Sequence, residues 1–328
     1  MTETVKSQYD MRDPRTQYPQ PPFPKQPQDK PGFDHKMEPK ADHGENSYQG
    51  FGRLKDRKAL ITGGDSGIGR AIAIAYAREG AEICINYLPE EKEDADWVCD
   101  LLEGEGHAVH RMPGNLTDKE FCNTLIKEAH ERMGGLDILV NNAGVSWRPL
   151  RPVSDATLSD WKFMIDVNLW GVINGLDVFL PRMSKQQGEK HVVNTSSLAG
   201  LWPVKGHTPY SATKAAVTAI SEGLASDLAE EGFGVTILHP AMVRTNVVAN
   251  SEAMRSDVDK GEGRTFRSMV DERMEKLAAA YIDAEAVGEM VRDAIERNQL
   301  YLHTHPIEAQ DIRSRTELIY GADTYGRA

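Results

Sequence analysis

The sequence predicts an α/β fold: a doubly wound, parallel sheet of seven strands with helices on both faces, preceded by an extended N-terminal arm. Three observations predict it. From about residue 56 onward, short apolar runs alternate with longer stretches of helical period, the pattern of successive βαβ units. The first of these runs ends in a glycine cluster that opens straight into an apolar helix, Thr62-Gly63-Gly64-Asp65-Ser66-Gly67-Ile68-Gly69-Arg70. Residues 1–50, by contrast, hold eight of the 17 prolines and few aliphatic side chains, too little to build a core.

The arm, residues 1–50, is expected either to stay solvated or to lie extended over a neighbouring subunit through Tyr18, Phe23, Phe33 and Tyr48. Residues 51–328 are expected to form one domain. Its strands are predicted at Lys58–Thr62, Glu82–Asn86, Ala108–Met112, Asp137–Asn141, His191–Thr195, Val235–His239 and Leu300–His303. Helical periodicity marks Ile68–Glu79, Glu91–Glu105, Asp118–Arg132, Leu158–Met183, Ser211–Glu230, Met269–Ala280 and Ala284–Arg297. In such a sheet ligands bind outside the carboxyl ends of the strands, so the residues that follow each strand are the ones to weigh.

Of 328 residues, 38 are Lys or Arg and 50 are Asp or Glu, a formal charge of −12. That balance repels phosphate backbones and argues against nucleic acid as a partner. No run approaches the ~18 uninterrupted apolar residues of a membrane span, and no basic-then-apolar leader opens the chain, so a cytoplasmic protein is expected. Cys84, Cys99 and Cys122 are odd in number, without CxxC spacing, and read as reduced, mostly buried thiols. His303 and His305 alternate on the last strand, but without an acidic partner an edge-strand role outweighs a metal site, and none is expected.

The glycine cluster is the first candidate site. Gly63, Gly67 and Gly69 permit a tight turn, close approach of backbone amides to a pyrophosphate, and close packing of helix on strand. The helix N-terminus then faces an anion. Glycine-rich loops are common, yet strand, cluster and apolar helix in this order favour nucleotide binding. The second candidate is Tyr210-Ser211-Ala212-Thr213-Lys214, which sets Tyr and Lys one turn apart on one helix face. A phenol with a pKa of ~10 becomes a usable proton donor when an ammonium lies nearby. Taken alone, the spacing occurs by chance in many helices, and an amphipathic surface pair accounts for it better.

The G-x-x-x-G-x-G spacing, in the form Thr-Gly-Gly-Asp-Ser-Gly-Ile-Gly, resembles the short-chain dehydrogenase/reductase family, whose fold is Rossmann-type. Leu139-Val140-Asn141-Asn142-Ala143-Gly144 resembles the family's Asn-Asn-Ala-Gly element after the fourth strand. Ser197 precedes Tyr210 by 13 residues, the family's catalytic serine spacing, and is preferred to Ser196; Asn168 matches the asparagine of the family tetrad. The resemblance covers about residues 56–245. It implies an oxidoreductase that moves a hydride between a nicotinamide and a carbonyl or alcohol carbon. Tyr210 would exchange the proton, Ser197 would orient the substrate oxygen, Lys214 would hold the nicotinamide ribose and lower the Tyr210 pKa, and Asn168 would hold a water near Lys214.

For the cofactor, the resemblance assigns Gly63, Asp65, Ser66, Gly67, Ile68, Gly69, Tyr87, Asn115, Leu116, Asn142, Ala143, Gly144, Tyr210, Lys214, Pro240, Val243 and Thr245. Asn115 stands where the family usually has Asp, and Ala241 replaces the Gly after Pro240. NAD-preferring relatives carry an acidic residue at the end of the second strand, and Asn86-Tyr87-Leu88-Pro89 offers none. The reading therefore leans to NADP(H), with NAD(H) or dual use open, because Ser66 replaces the basic residue many NADP-dependent relatives have.

The two halves point to different relatives. The arm, the glycine turn and Tyr87-Leu88-Pro89-Glu90-Glu91 resemble the glucose/ribitol-dehydrogenase-like subgroup; Val172-Ile173-Asn174-Gly175 and Leu300–Pro306 resemble aryl-alcohol Cα-dehydrogenase-like reductases. A substrate lid is expected at about 244–273, and Trp202 and His207 are candidate substrate contacts or packing residues. Helices 158–183 and 211–230 are the family's subunit contact, implying a homotetramer or homodimer. The leading reading is thus a ketone or aldehyde reductase or alcohol dehydrogenase. A polyol or sugar dehydrogenase and a catalytically silent dinucleotide sensor are the alternatives.

Overall fold

The computed structural model describes residues 19, 22–24, 26, 28, 32–146, 152–247, 250–251, 281–305 and 309–320. Seven parallel strands form one sheet: β1 (Lys58–Thr62), β2 (Glu82–Tyr87), β3 (Val109–Pro113), β4 (Ile138–Asn141), β5 (Lys190–Thr195), β6 (Phe233–His239) and β9 (Tyr301–His303). Their order across the sheet is β3-β2-β1-β4-β5-β6-β9. Two-residue strands β7 (Val243–Arg244) and β8 (Ile282–Asp283) pair apart from it. The order reverses between β1 and β4, which opens a crevice at their carboxyl ends. The central strands β1 and β4 read as near-continuous apolar runs because both faces are covered, whereas the edge strands β3 and β9 are partly exposed. Residues of β1 such as Ala59, Leu60 and Ile61 are wholly buried.

The helices are α1 (Gly67–Arg78), α2 (Lys92–Gly104), α3 (Lys119–Met133), α4 (Leu158–Ile165), α5 (Gly171–Met183), α6 (Leu198–Leu201), α7 (Thr208–Asp227), α8 (Ala284–Glu296) and α9 (Ala309–Tyr320). One apolar cluster packs α1, α2 and α8 on one face, with Ile72, Tyr76, Val98 and Val291 at its centre. The other packs α3, α5 and α7 on the opposite face through Leu125, Phe179 and Val217. Gly69 makes the closest helix–strand approach, since a Cβ there would lie 1.8 Å from the Gly63 carbonyl oxygen. Cys84, Cys99 and Cys122 are all buried and unlinked, and burial raises each thiol pKa, to about 12, 12 and 11.

Two expectations change. The predicted single helix Leu158–Met183 is two helices joined by a five-residue π turn, Asp166–Trp170. The wide turn buries Asn168, whose side chain satisfies both backbone groups of Val145: Oδ1 accepts from its N–H at 2.8 Å and Nδ2 donates to its C=O at 2.9 Å. By length and composition alone this run could cross a membrane, with a mean hydropathy of 1.4, but Asp160, Lys162, Asp166, Asp177 and Arg182 interrupt it, so it is not the uninterrupted apolar run that a span was expected to need. Half of its most apolar stretch is buried, as in a core helix, with Met164, Val172 and Phe179 inside.

The arm departs most. Residues 32–50 are not left in solvent but fold back on their own chain. Tyr48 is buried in the α1/α8 cluster and donates to Glu79 at 2.7 Å. Arg78 on α1 donates to the carbonyls of Gly44, Glu45 and Tyr48 at 2.7–2.8 Å. Phe23 meets Tyr281 edge-on at 5.3 Å. Tyr18, the predicted helix Met269–Ala280 and most of the 244–273 lid lie outside the described residues.

Candidate active site

A cavity of about 510 Å³ opens at the β1/β4 reversal, within the ~300–1,000 Å³ range of small-molecule sites. The turn from β1 to α1 forms one wall with Gly63, Asp65, Ser66, Gly67 and Ile68. Gly67 has φ +50°, a left-handed conformation suited to glycine, and a Cβ there would press on Thr245 at 3.1 Å. Gly63, at φ +61°, faces Ala143 as closely. The first amides of α1 have no partner within the helix and so present donors to an anion. Gly69 is not among the lining residues and acts through the packing described above.

Tyr87, Asn115, Leu116, Asn142, Ala143, Gly144, Pro240, Val243 and Thr245, all predicted cofactor contacts, line the same cavity. Asn142 also ties β4 to β1, its Nδ2 donating to the Thr62 carbonyl at 3.1 Å while its N–H and that of Ala143 donate to Thr62 Oγ1. Asn141 Nδ2 donates to Asn194 Oδ1 at 2.8 Å, and Asn194 passes the bond on to Ser221. These amides hold the strand ends in register where small residues leave room. At Gly144 a Cβ would lie 3.0 Å from Asn168 Oδ1 and 3.4 Å from Lys214 Nζ.

Ser197, Tyr210 and Lys214 also line the cavity, brought there by the end of β5 and the first turns of α7. Lys214 is 4% exposed, its Nζ donates to the Thr195 carbonyl at 2.8 Å, and it lies 5.8 Å from the Tyr210 ring centre. Burial pulls its pKa down to about 8. Ser196 lines the cavity as well, and the two serines differ in their hydrogen bonds. Ser196 Oγ donates to the Lys214 carbonyl at 2.7 Å and lies 2.8 Å from Thr218 Oγ1, tying β5 to α7. Ser197 Oγ caps the short helix α6 by accepting from the Ala199 N–H at 3.1 Å, and its longer contact to the Pro240 carbonyl is 3.4 Å. Asn168 does not line the cavity; its amide is committed to Val145 and approaches Thr213 at 3.4 Å. His207 stacks on the Tyr210 ring, centres 4.7 Å apart, so its observed contact is packing against the tyrosine, and neither it nor Trp202 lines the cavity.

Two functional features escaped sequence reading. Pro89–Glu91 forms a 3-10 turn that folds Glu91 back, its carboxylate accepting from the Leu88 N–H at 3.1 Å and lining the cavity beside Asp65. Burial first, and then their mutual repulsion in the case of Asp65, push both carboxyls above the usual range. The signal was the Pro-Glu-Glu after the strand, because Pro at the first helical position starts such a turn. The second feature is the arm's Asp34, whose carboxylate accepts from the Gly67 N–H at 2.8 Å. Among the described residues no group of His, Cys, Asp and Glu is arranged to hold a metal ion.

The comparisons agree with this geometry. The short chain dehydrogenase family profile matches residues 57–256. The uncharacterized oxidoreductase YghA of Escherichia coli (strain K12) is 43% identical over 235 residues, 72% of this chain and 79% of YghA. A short chain dehydrogenase/reductase from Burkholderia phymatum, solved in complex with NAD, superposes with a TM-score of 0.73 at 29% identity, covering 84% of this chain and 98% of that one. One from Burkholderia cenocepacia J2315, in complex with NADP, gives a TM-score of 0.62 at 29% identity, covering 76% and 97%. With its parallel sheet, its glycine turn and this match over most of the catalytic fold, the chain is an oxidoreductase of the short chain dehydrogenase family, which uses NAD or NADP.

Proposed function

We propose that this chain interconverts a carbonyl compound and its alcohol, as a ketone or aldehyde reductase or an alcohol dehydrogenase. The observation that carries this reading is that Ser197, Tyr210 and Lys214 line one cavity with the glycine turn. The residues present fit a dinucleotide: α1 offers free amides at its N-terminus, and Gly67 and Gly144 leave space that any side chain would fill. The nicotinamide, when bound, supplies or accepts the hydride. Gly63 through Ile68 would hold the phosphates, Asn115 and Leu116 the adenine end, and Pro240, Val243 and Thr245 the carboxamide. Tyr210 would give its phenolic proton to the substrate oxygen in reduction and take it back in oxidation. Ser197 would hydrogen-bond that oxygen and orient the carbon. Lys214 would hold the ribose hydroxyls and favour the Tyr210 phenolate. The commitment of the Asn168 amide to Val145 supports a role in setting the β4 end and Gly144, rather than in holding water through that amide.

On the form of the dinucleotide, the sequence leans to NADP(H), whereas the folded-back Glu91 beside Asp65 supports NAD(H). Carboxyls there accept hydrogen bonds from a ribose diol and oppose a 2′-phosphate. Assembly as a homodimer or homotetramer would use the outer faces of α4, α5 and α7, where Leu158 is 88% and Trp170 49% exposed. The test is turnover of NADH and NADPH with a panel of aldehydes, aryl ketones and sugars, alongside Tyr210→Phe. Loss of about 10²–10⁴-fold in kcat is expected, the range for general acid–base groups. Sugar oxidation alone would shift the reading to a polyol or sugar dehydrogenase, and dinucleotide binding without turnover to a sensor.

A further inference from the structure

We infer that the N-terminal arm is a working part of the dinucleotide site, with Asp34 as a positioning residue that sets the glycine turn and His43 as the pin that holds Asp34 there. The inference rests on the reading of the cavity as a dinucleotide site.

Asp34 lies 33 residues before the turn it touches, on a 3-10 turn of the arm (Asp34–Lys36), and is 2% exposed. Its Oδ2 accepts from the Gly67 N–H at 2.8 Å, the first amide of α1. Of the amides that α1 leaves unpaired at its N-terminus, one is therefore taken from within the chain, and those of Ile68 and Gly69 remain for phosphate. The bond also pins the residue that adopts φ +50° and packs on Thr245 at the other end of the cavity.

Asp34 is itself held by two further groups, His43 at its carboxylate and Asp94 at its backbone. His43 Nε2 lies 3.1 Å from Asp34 Oδ2, and its Nδ1 lies 2.9 Å from Glu45 Oε1, so an imidazolium bridges two carboxylates within the arm. The Asp34 N–H donates to Asp94 on α2 at 3.0 Å. Asp94 in turn lies 3.0 Å from Arg70, whose Nε donates to the Asp65 carbonyl in the glycine turn at 2.7 Å. Arg70 and Asp94 are each 2% exposed. This closed circuit of buried charges runs from the arm to the glycine turn, which makes it stiff as well as costly to break.

The same arm reaches the carboxamide side. Arg244, between the lining residues Val243 and Thr245, donates to the Pro39 carbonyl at 3.1 Å and to Asp283 at 2.6 Å. A Cβ at Gly32 would collide with the side chains of Asn246 and Asn250, two further lining residues. Both ends of the cavity thus rest on residues 32–45. The twofold use of one segment explains why a polar, proline-rich stretch is buried against the fold rather than left in water.

The test measures NADH and NADPH dissociation constants by equilibrium dialysis on the full chain, with KM and kcat beside them. Asp34→Ala is expected to weaken binding by about tenfold, the worth of one charge-assisted hydrogen bond, with the loss in KM for the dinucleotide rather than in kcat. Asp34→Asn, whose amide oxygen still accepts from Gly67, should recover most of that affinity. A purely structural arm would lower the melting temperature of Asp34→Ala and leave its dissociation constants at the wild-type value, which overturns the inference and spares the functional reading. Wild-type protein that binds neither dinucleotide overturns both. Should Asp34→Ala fail to fold, His43→Gln with amide hydrogen exchange replaces it: faster exchange across residues 62–70 together with weaker binding is expected, and unchanged exchange there refutes the pin.

Discussion

Lys214 Nζ donates to the carbonyl oxygen of Thr195 at 2.8 Å, so the ammonium is fixed to the end of β5 while its backbone belongs to α7. The helix alone would let a lysine swing through its four methylenes. Anchored to a strand carbonyl, it keeps one position between Tyr210 and the space left by Gly144.

That position costs stability. Burial takes the Lys214 pKa from 10.5 down to about 8. Because the folded pKa is the lower one, the unfolded chain holds the proton more tightly, and this group's contribution to stability rises as pH climbs from about 8 to about 10.5. Below 8 the full cost is present, about 3 kcal/mol at 1.36 kcal/mol per unit, before the Thr195 bond is credited. Lys214→Met should therefore be at least as stable as the wild type to urea at pH 7 while losing turnover. A variant that unfolds at clearly lower urea would show that the ammonium stabilises the fold.

His43 behaves in the opposite sense. Burial alone would lower its pKa, but hydrogen bonds to Asp34 and Glu45 outweigh it and raise the value from 6.5 to about 9. A raised folded pKa gives stability that is complete below 6.5 and is lost as pH rises through 9. Asp34 and Glu45, with pKa values near 2, keep their charge throughout this window, and Arg70, Asp42 and Asp283 also face the ring. Urea unfolding should separate wild type from His43→Gln by about 2–3 kcal/mol at pH 6, and by clearly less at pH 9.5. An equal gap at both pH values would mean that the ring is neutral in the fold.

The residues proposed for catalysis and for the glycine turn were legible because they sit at fixed spacings within single elements. Tyr210 and Lys214 share one helix face, and Gly63, Gly67 and Gly69 share one turn. All seven sheet strands were likewise visible as apolar runs, to within two residues at their ends. Polar contacts across long separations were not. Asp34 meets Gly67 through a backbone amide, which leaves no pattern in side-chain type, and proline content made its surroundings look unstructured. The π turn at Asn168 was hidden for a related reason: helical period continues on both sides of it, and only the three-dimensional demand of Val145 for two hydrogen bonds explains the extra residue.

Cofactor choice tests the least legible part of the site. The sequence shows no acid at the end of β2, yet the turn Pro89–Glu91 returns Glu91 to the cavity next to Asp65. Asp34, Glu90 and Asp94 add negative field at Glu91, and the nearby cation Arg70 is buried against Asp94. A 2′-phosphate would enter a region whose net charge is already negative, whereas a ribose diol would donate hydrogen bonds to these carboxyls. Glu91→Gln should therefore tighten NADPH binding by about tenfold, near 1.4 kcal/mol, and leave NADH within about twofold. Asp65→Asn added to it should tighten NADPH further, since loss of the Glu91 charge makes the buried Asp65 carboxyl easier to ionise and the second substitution removes that carboxyl. Dialysis of the three proteins against both dinucleotides reads this directly, and a wild type that binds NADPH more tightly than NADH would return the choice to the one the sequence favours.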